Sequence, residues 1–145
     1  MKKIVSLIFL SIFALALVWD NFGPNRDGSK FRDIENLWIP IPQYDRSIEK
    51  SSDSYSTGRK ADVSKYYKSD ADFDDIRSFY HEALIGNGWT FSKEEHFTDW
   101  GIDKGGIRIY YWRGDYRFSI VYPGKNADYG WDYAVGINWR SDLLD

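Results

Sequence analysis

The chain contains no cysteine. That absence excludes disulfides, thiolate metal sites, a cysteine nucleophile and lipid attachment through cysteine. Concentrated positive charge is lacking too. The formal charge is −3, setting aside Lys2 and Lys3 leaves −5, and Arg108, Arg113 and Arg117 stand singly. Nucleic-acid binding needs a concentrated basic surface, so no nucleic-acid partner is expected. No G-x-S-x-G nucleophile elbow occurs, and Ser119 and Ser141 have no evident partner base. The carboxylates are too many and too scattered to single out a glycosidase pair. Neither glycine cluster is a phosphate loop: Gly86-Asn87-Gly88 follows a helical pattern, and Gly101 to Gly106 leads into Ile107-Arg108. No internal repeat is present.

Histidine is nearly absent as well, with only His81 and His96. A zinc site built from His81, His96 and Asp99 would need the fold to bring three or four ligands together. Asp70, Asp72 and Asp74 have the spacing of a calcium loop. Its sixth and twelfth positions are Asp75 and His81, where glycine and glutamate are required. The sequence therefore leads us to expect no metal, no cofactor and no catalytic residue. Arg113-Gly114-Asp115 spells an adhesion tripeptide, but Gly114-Asp115 is already accounted for as a hairpin turn.

What is present begins with an apolar run. Met1-Lys2-Lys3 precede residues 4–19, in which only Ser6 and Ser11 are polar, and Asp20 ends the run. A charged start followed by such a stretch is an export signal or a membrane anchor. Ala14 and Ala16 fit a small-residue cleavage rule, but cleavage there would leave the apolar start Leu17-Val18-Trp19. We read residues 1–19 as an uncleaved anchor, with signal cleavage and secretion as the alternative. Either way Lys2 and Lys3 stay in the cytoplasm and the remainder lies outside it. Residues 20–36 are polar, glycine-bearing and aperiodic, and read as a tether. Residues 37–145 form the extracytoplasmic domain. Without disulfides it must stand on its hydrophobic core, which about 110 residues can supply.

Within that domain, Leu37 to Asp45 contains Pro40 and Pro42 and reads as extended, along a sheet edge. Residues 49–60 are serine-rich, a loop or weak strand. Val63, Lys65 and Tyr67 alternate with Asp62, Ser64 and Tyr66 as a strand with one buried side. In FDDIRSFYHEALIGNGW (73–89), Phe73, Ile76, Phe79, Tyr80, Ala83 and Leu84 make one helical stripe. Ser69 or Asp70 is expected to cap this helix, Asp72, Asp74 and Asp75 to complement its dipole, and Gly86 or Gly88 to stop it. Trp89 and Phe91 open the next strand on one side. Residues 107–113 put Ile107, Ile109 and Tyr111 on one face, and Arg108, Tyr110 and Trp112 on the other. Gly114-Asp115 makes a type II′ turn into residues 116–122, where Phe118, Ile120 and Tyr122 alternate. Residues 131–139 alternate Trp131, Tyr133, Val135, Ile137 and Trp139 against polar or small neighbours. The expectation is an α+β fold: an N-terminal hydrophobic helix, then one amphipathic helix packed on an antiparallel sheet of about five strands, in the order strand, helix, strands.

The pattern FYxxxLxxxGW, here Phe79-Tyr80, Leu84 and Gly88-Trp89, resembles one in small bacterial envelope and secreted proteins, where a capped helix ends in Gly-Trp and feeds a hairpin. The element order is similar to the helix-grip modules of outer-membrane assembly lipoproteins, although this chain has no cysteine to carry a lipid. The resemblance covers roughly residues 61–122 and implies a fold and a compartment, not an activity.

Seven tryptophans, eleven tyrosines and nine phenylalanines are many for this length, and most can be assigned to the helix stripe or inward strand faces as a tightly filled aromatic core. The surplus is Tyr66, Tyr110 and Trp112, on faces opposite the inward ones, with Trp100 and Tyr129 in loops. If a helix covers one sheet face only, Tyr110, Trp112, Arg108 and Tyr66 stand on the open one. Aromatics and arginine are what interfaces favour, and flat rings also stack on sugars. These four are the candidate binding residues. The expected function is a tethered or secreted, non-catalytic binding or assembly module of the bacterial cell envelope, partnered by another envelope protein or a glycan. Alternatives are an inhibitor or immunity-type protein against a toxin or envelope enzyme, and an enzyme with a carboxylate or histidine site.

Overall fold

The computed structural model describes residues 28–140. The apolar run at 4–19, the first part of the expected tether and residues 141–145 lie outside them. Eight elements follow in order: α1 (Ser29–Trp38), β1 (Ser47–Ser56), β2 (Lys60–Ser69), α2 (Phe73–Gly86), β3 (Thr90–Asp99), β4 (Ile102–Arg113), β5 (Tyr116–Tyr122) and β6 (Tyr133–Arg140). The fold is α+β, as expected; among the described residues it has two helices and six strands, where one amphipathic helix and about five strands were expected there. The strands form one antiparallel sheet in the order β1-β2-β6-β5-β4-β3. α2 therefore carries the chain from β2 to the far edge, and the β3–β6 meander returns to close against β2. Among the described residues no helix is long and apolar enough to cross a membrane.

Helix α2 buries Ile76, Tyr80 and Leu84 from the expected stripe. Its start differs from expectation. Asp72 is the N-cap, and its carbonyl accepts from Asp75 and Ile76, while Asp74 and Asp75 occupy the first turn. Ser69 instead bridges two neighbours, its hydroxyl donating to the Arg46 carbonyl and accepting from the Ala71 N–H. Its end is a Schellman motif. Gly88 sits at φ 78, its N–H donates to the Ile85 carbonyl, and the Trp89 N–H donates to the Leu84 carbonyl.

The reading of the N-terminal side is corrected in one respect and decided in another. Residues 29–38 are a helix, not tether or extended chain, because Phe31, Ile34, Leu37 and Trp38 recur at helical spacing and Ile34 is fully buried. Pro40 and Pro42 lie in the connection after α1, where the Ile41 N–H donates to the Trp38 carbonyl. Of the two readings of the serine-rich stretch, loop or weak strand, the strand holds for most of it, as β1. Its side chains are exposed except Ser47, whose hydroxyl oxygen accepts from the Tyr133 hydroxyl at 2.7 Å. Backbone pairing with β2 holds β1 in place where side-chain burial does not.

Both helices lie on the same sheet face. Phe118, fully buried in central β5, meets Trp38, Tyr80 and Trp89 at ring-centroid distances of 5.6, 6.2 and 5.7 Å. Phe73 stacks on Tyr122 at 4.4 Å. A fully buried large apolar side chain contributes about 1.5–3 kcal/mol, so this aromatic layer and the buried aliphatic residues packed with it hold the domain together. The two sheet edges are interrupted by bulges, at Lys50 in β1 and at Ser92 in β3, and the β3–β4 register shifts again beyond Phe97, where residues 103–105 of β4 stand against Thr98. Bulges discourage strand-to-strand pairing with other chains.

Candidate functional site

With both helices on one face, the other face of the sheet is open. Cross-strand register places Tyr66, Ser64 and Asp62 of β2 there, beside Ala134, Gly136 and Asn138 of β6. Val121, Ser119 and Arg117 of β5 follow, then Arg108, Tyr110 and Trp112 of β4. The middle of this face is small: Ser64, Ser119, Val121, Ala134 and Gly136 floor a concavity of about 330 Å³. Gly136 is required for that depth, since a Cβ there would stand 2.7 Å from the Ser64 Oγ.

Aromatic rings wall the concavity. On one side Trp131 stacks on Tyr129 at 5.3 Å and meets Tyr66 at 5.4 Å. On the other, the Phe97 ring lies over Gly106, where a Cβ would approach it to 2.9 Å. The Arg108 guanidinium covers Phe97 at 4.0 Å from the ring centroid. Among the described residues Arg108 forms no ion pair. The carboxylate lining the concavity, Asp99, is already matched. Interaction with the Tyr129 hydroxyl and then the Lys104 ammonium, 3.0 Å away, holds it below the usual aspartate range.

Beside the concavity runs a second, closely engaged row. The Tyr110 hydroxyl donates to Glu95 at 2.9 Å, and Lys93 donates to the same carboxylate at 2.6 Å. The Lys93 and Tyr110 bonds lower the Glu95 pKa. Arg117 lies 5.0 Å from the Tyr110 ring centroid and 6.0 Å from that of Trp112. Arg117 Nε and Asn138 Oδ1, opposite one another in register, are buried without partners among the described residues. Asp62 sits across from Asn138, accepts from the Ser64 hydroxyl at 2.8 Å, and has its pKa raised, chiefly by burial.

All four residues singled out from the sequence thus lie on the open face, but they divide. Arg108 and Tyr66 line the concavity, whereas Tyr110 and Trp112 are half-buried in the neighbouring row. Phe97 and Trp131 escaped sequence reasoning. The bulge at Ser92 reverses the alternation of β3, so Lys93, Glu95 and Phe97 point opposite to Phe91. Trp131, expected on the inward face, precedes β6, and its ring joins Tyr66 and Tyr129.

The histidines go elsewhere. His81 Nδ1 is 3.0 Å from the Tyr111 hydroxyl, and His96 pairs in register with Ile107 on the helix-covered side. Among the described residues no three His, Asp or Glu side chains are placed to share a metal ion, so His81, His96 and Asp99 are not assembled into a site. No family model, curated protein or solved structure matches this chain.

Proposed function

We propose that this chain is a non-catalytic binding module that holds its ligand on the open sheet face. The observation that carries the reading is the concavity itself: aromatic walls and an arginine around a floor of small residues. A sheet face turned to water ordinarily alternates to polar side chains. Here half-exposed rings surround a hollow that none of the described side chains fills. Pockets of this kind, mostly apolar with a few placed polar groups, are the usual form of a ligand site. The apolar run at 4–19 supports tethering of the module outside the cytoplasmic membrane, with an envelope protein or glycan as partner.

Amide and indole NMR of the full chain in detergent micelles, titrated with envelope extracts fractionated into peptides, glycans and small molecules, tests this. The reading requires a fraction that shifts the Trp131 indole and β5–β6 amides in the wild type but not in a folded Tyr66→Ala/Trp131→Ala variant. Shifts confined to the helix-covered side would overturn it. So would turnover of the added compound.

A further inference from the structure

We propose that the concavity binds a carboxylate-bearing sugar, an acidic glycan unit; this deepens the binding reading above and rests on it. Three features converge. First, the walls hold aromatic rings at two inclinations: Trp131 is nearly parallel to Tyr129 (21°) and tilted against Tyr66 (57°), and all three line the hollow. The C–H faces of a pyranose stack on such rings, whereas a linear aliphatic chain would ask for a deeper apolar slot. At about 330 Å³ the hollow lies at the small end of ligand pockets, room for on the order of one or two sugar rings.

Second, the charge is one-sided. Asp99 is neutralised by Lys104, while Arg108 meets the hollow with one face on Phe97 and no ion pair among the described residues. A planar guanidinium with free N–H edges is suited to one carboxylate gripped bidentately. Glu95, across from Arg108 in register, already engages Lys93 and Tyr110, and a nucleotide, with several phosphate charges, would call for more than this one cation in the lining. Third, the floor offers hydroxyls: the Ser119 hydroxyl makes no hydrogen bond to another described residue, and the Ser64 hydroxyl, which donates to Asp62, can still accept through its oxygen. Sugar hydroxyls need partners of that sort, while a peptide strand would add at a sheet edge, and both edges carry bulges.

The test titrates the full chain in detergent micelles with glucuronate, galacturonate, N-acetylmuramate and N-acetylneuraminate glycosides, each beside its carboxyl-reduced counterpart. Affinity is read by NMR shifts of the β5–β6 amides in every variant, and of the Trp131 indole wherever that residue is kept. At least one acidic sugar is expected to bind tenfold or more tightly than its reduced form. Arg108→Gln should erase that difference, bringing the acidic sugar's affinity to that of its reduced form in the same variant. Trp131→Ala should abolish both, with circular dichroism and Tm confirming a folded protein. Equal affinity for acidic and reduced sugars would overturn the role of Arg108. No shift with any sugar, alongside a peptide or other compound that does shift Trp131, would overturn the glycan assignment yet keep the binding module. A concavity unmoved by any of these ligands would remove both.

Discussion

The backbone N–H of Trp89 donates to the carbonyl of Leu84 at 3.0 Å, and both side chains are buried together in the core. This bond ties Leu84, Gly88 and Trp89 into one unit at the helix-to-strand passage. The residue between must turn left-handed to bring the amide back over the last helical turn, and Trp89 then covers Leu84 as β3 begins. The motif is a piece of architecture that delivers β3 to the sheet edge, where Phe97 completes one wall of the concavity.

Gly88→Ala follows directly. Gly88 is at φ 78 with only Arg113 Nε, 4.0 Å away, near its missing Cβ, so the cost is conformational and not a clash. We expect a loss of about 1–2 kcal/mol in urea unfolding. Gly86→Ala, in the last helical turn with open space around it, should be neutral or stabilising by up to about 1 kcal/mol. Equal effects at the two glycines would contradict the left-handed assignment.

Much of this architecture was legible because its signals are local. The stripe of α2, the Gly114 turn at φ 56 and the opposite facing of Arg108 and Ile109 each follow from spacing over a few residues. What was hidden depends on distant partners. β1 has no alternation of its own and exists by pairing with β2; α1 is short, and its four apolar residues are masked by Gly28 and the charges between them. Phe97 was lost to a bulge, since one extra residue reverses every side chain beyond it. Tyr66 and Arg108 could be placed on a face, but not on opposite walls of one hollow, because strand order is not written in either strand.

The helical nature of 29–38 makes a prediction that a tether would not. Ile34 is fully buried in the cluster that includes Tyr133 and Ile137. Ile34→Ala should cost about 2–5 kcal/mol in chemical denaturation. A change within about 0.5 kcal/mol, typical of surface sites, would return this segment to the tether.

The floor of the concavity gives a coupled pair. Gly136→Ala places a Cβ 2.7 Å from Ser64 Oγ but 3.5 Å from Ser64 Cβ. Alone it should destabilise by about 1–3 kcal/mol. In a Ser64→Ala background most of that loss should disappear, and a double-mutant cycle of denaturation midpoints reads the difference. Strict additivity would mean that β2 and β6 do not pack side to side as described.

Asp62 predicts a pH dependence whose sign can be worked out. Burial raises its pKa in the fold, opposed by the Ser64 hydrogen bond and by Arg117, and reinforced by Asp53. A carboxyl whose folded pKa lies above its unfolded value holds its proton more tightly when folded. Its contribution is therefore favourable at low pH and is lost as pH rises through the folded pKa, leaving a charged group that burial disfavours. Asp62→Asn keeps an oxygen to accept from Ser64 and removes that charge. Its Tm should exceed that of the wild type at pH 7, and the gap should close as pH falls to 3. Melting curves across that range decide it: a variant less stable at pH 7, or a gap that widens on acidification, would show that Arg117 and Ser64 outweigh the cost of burial.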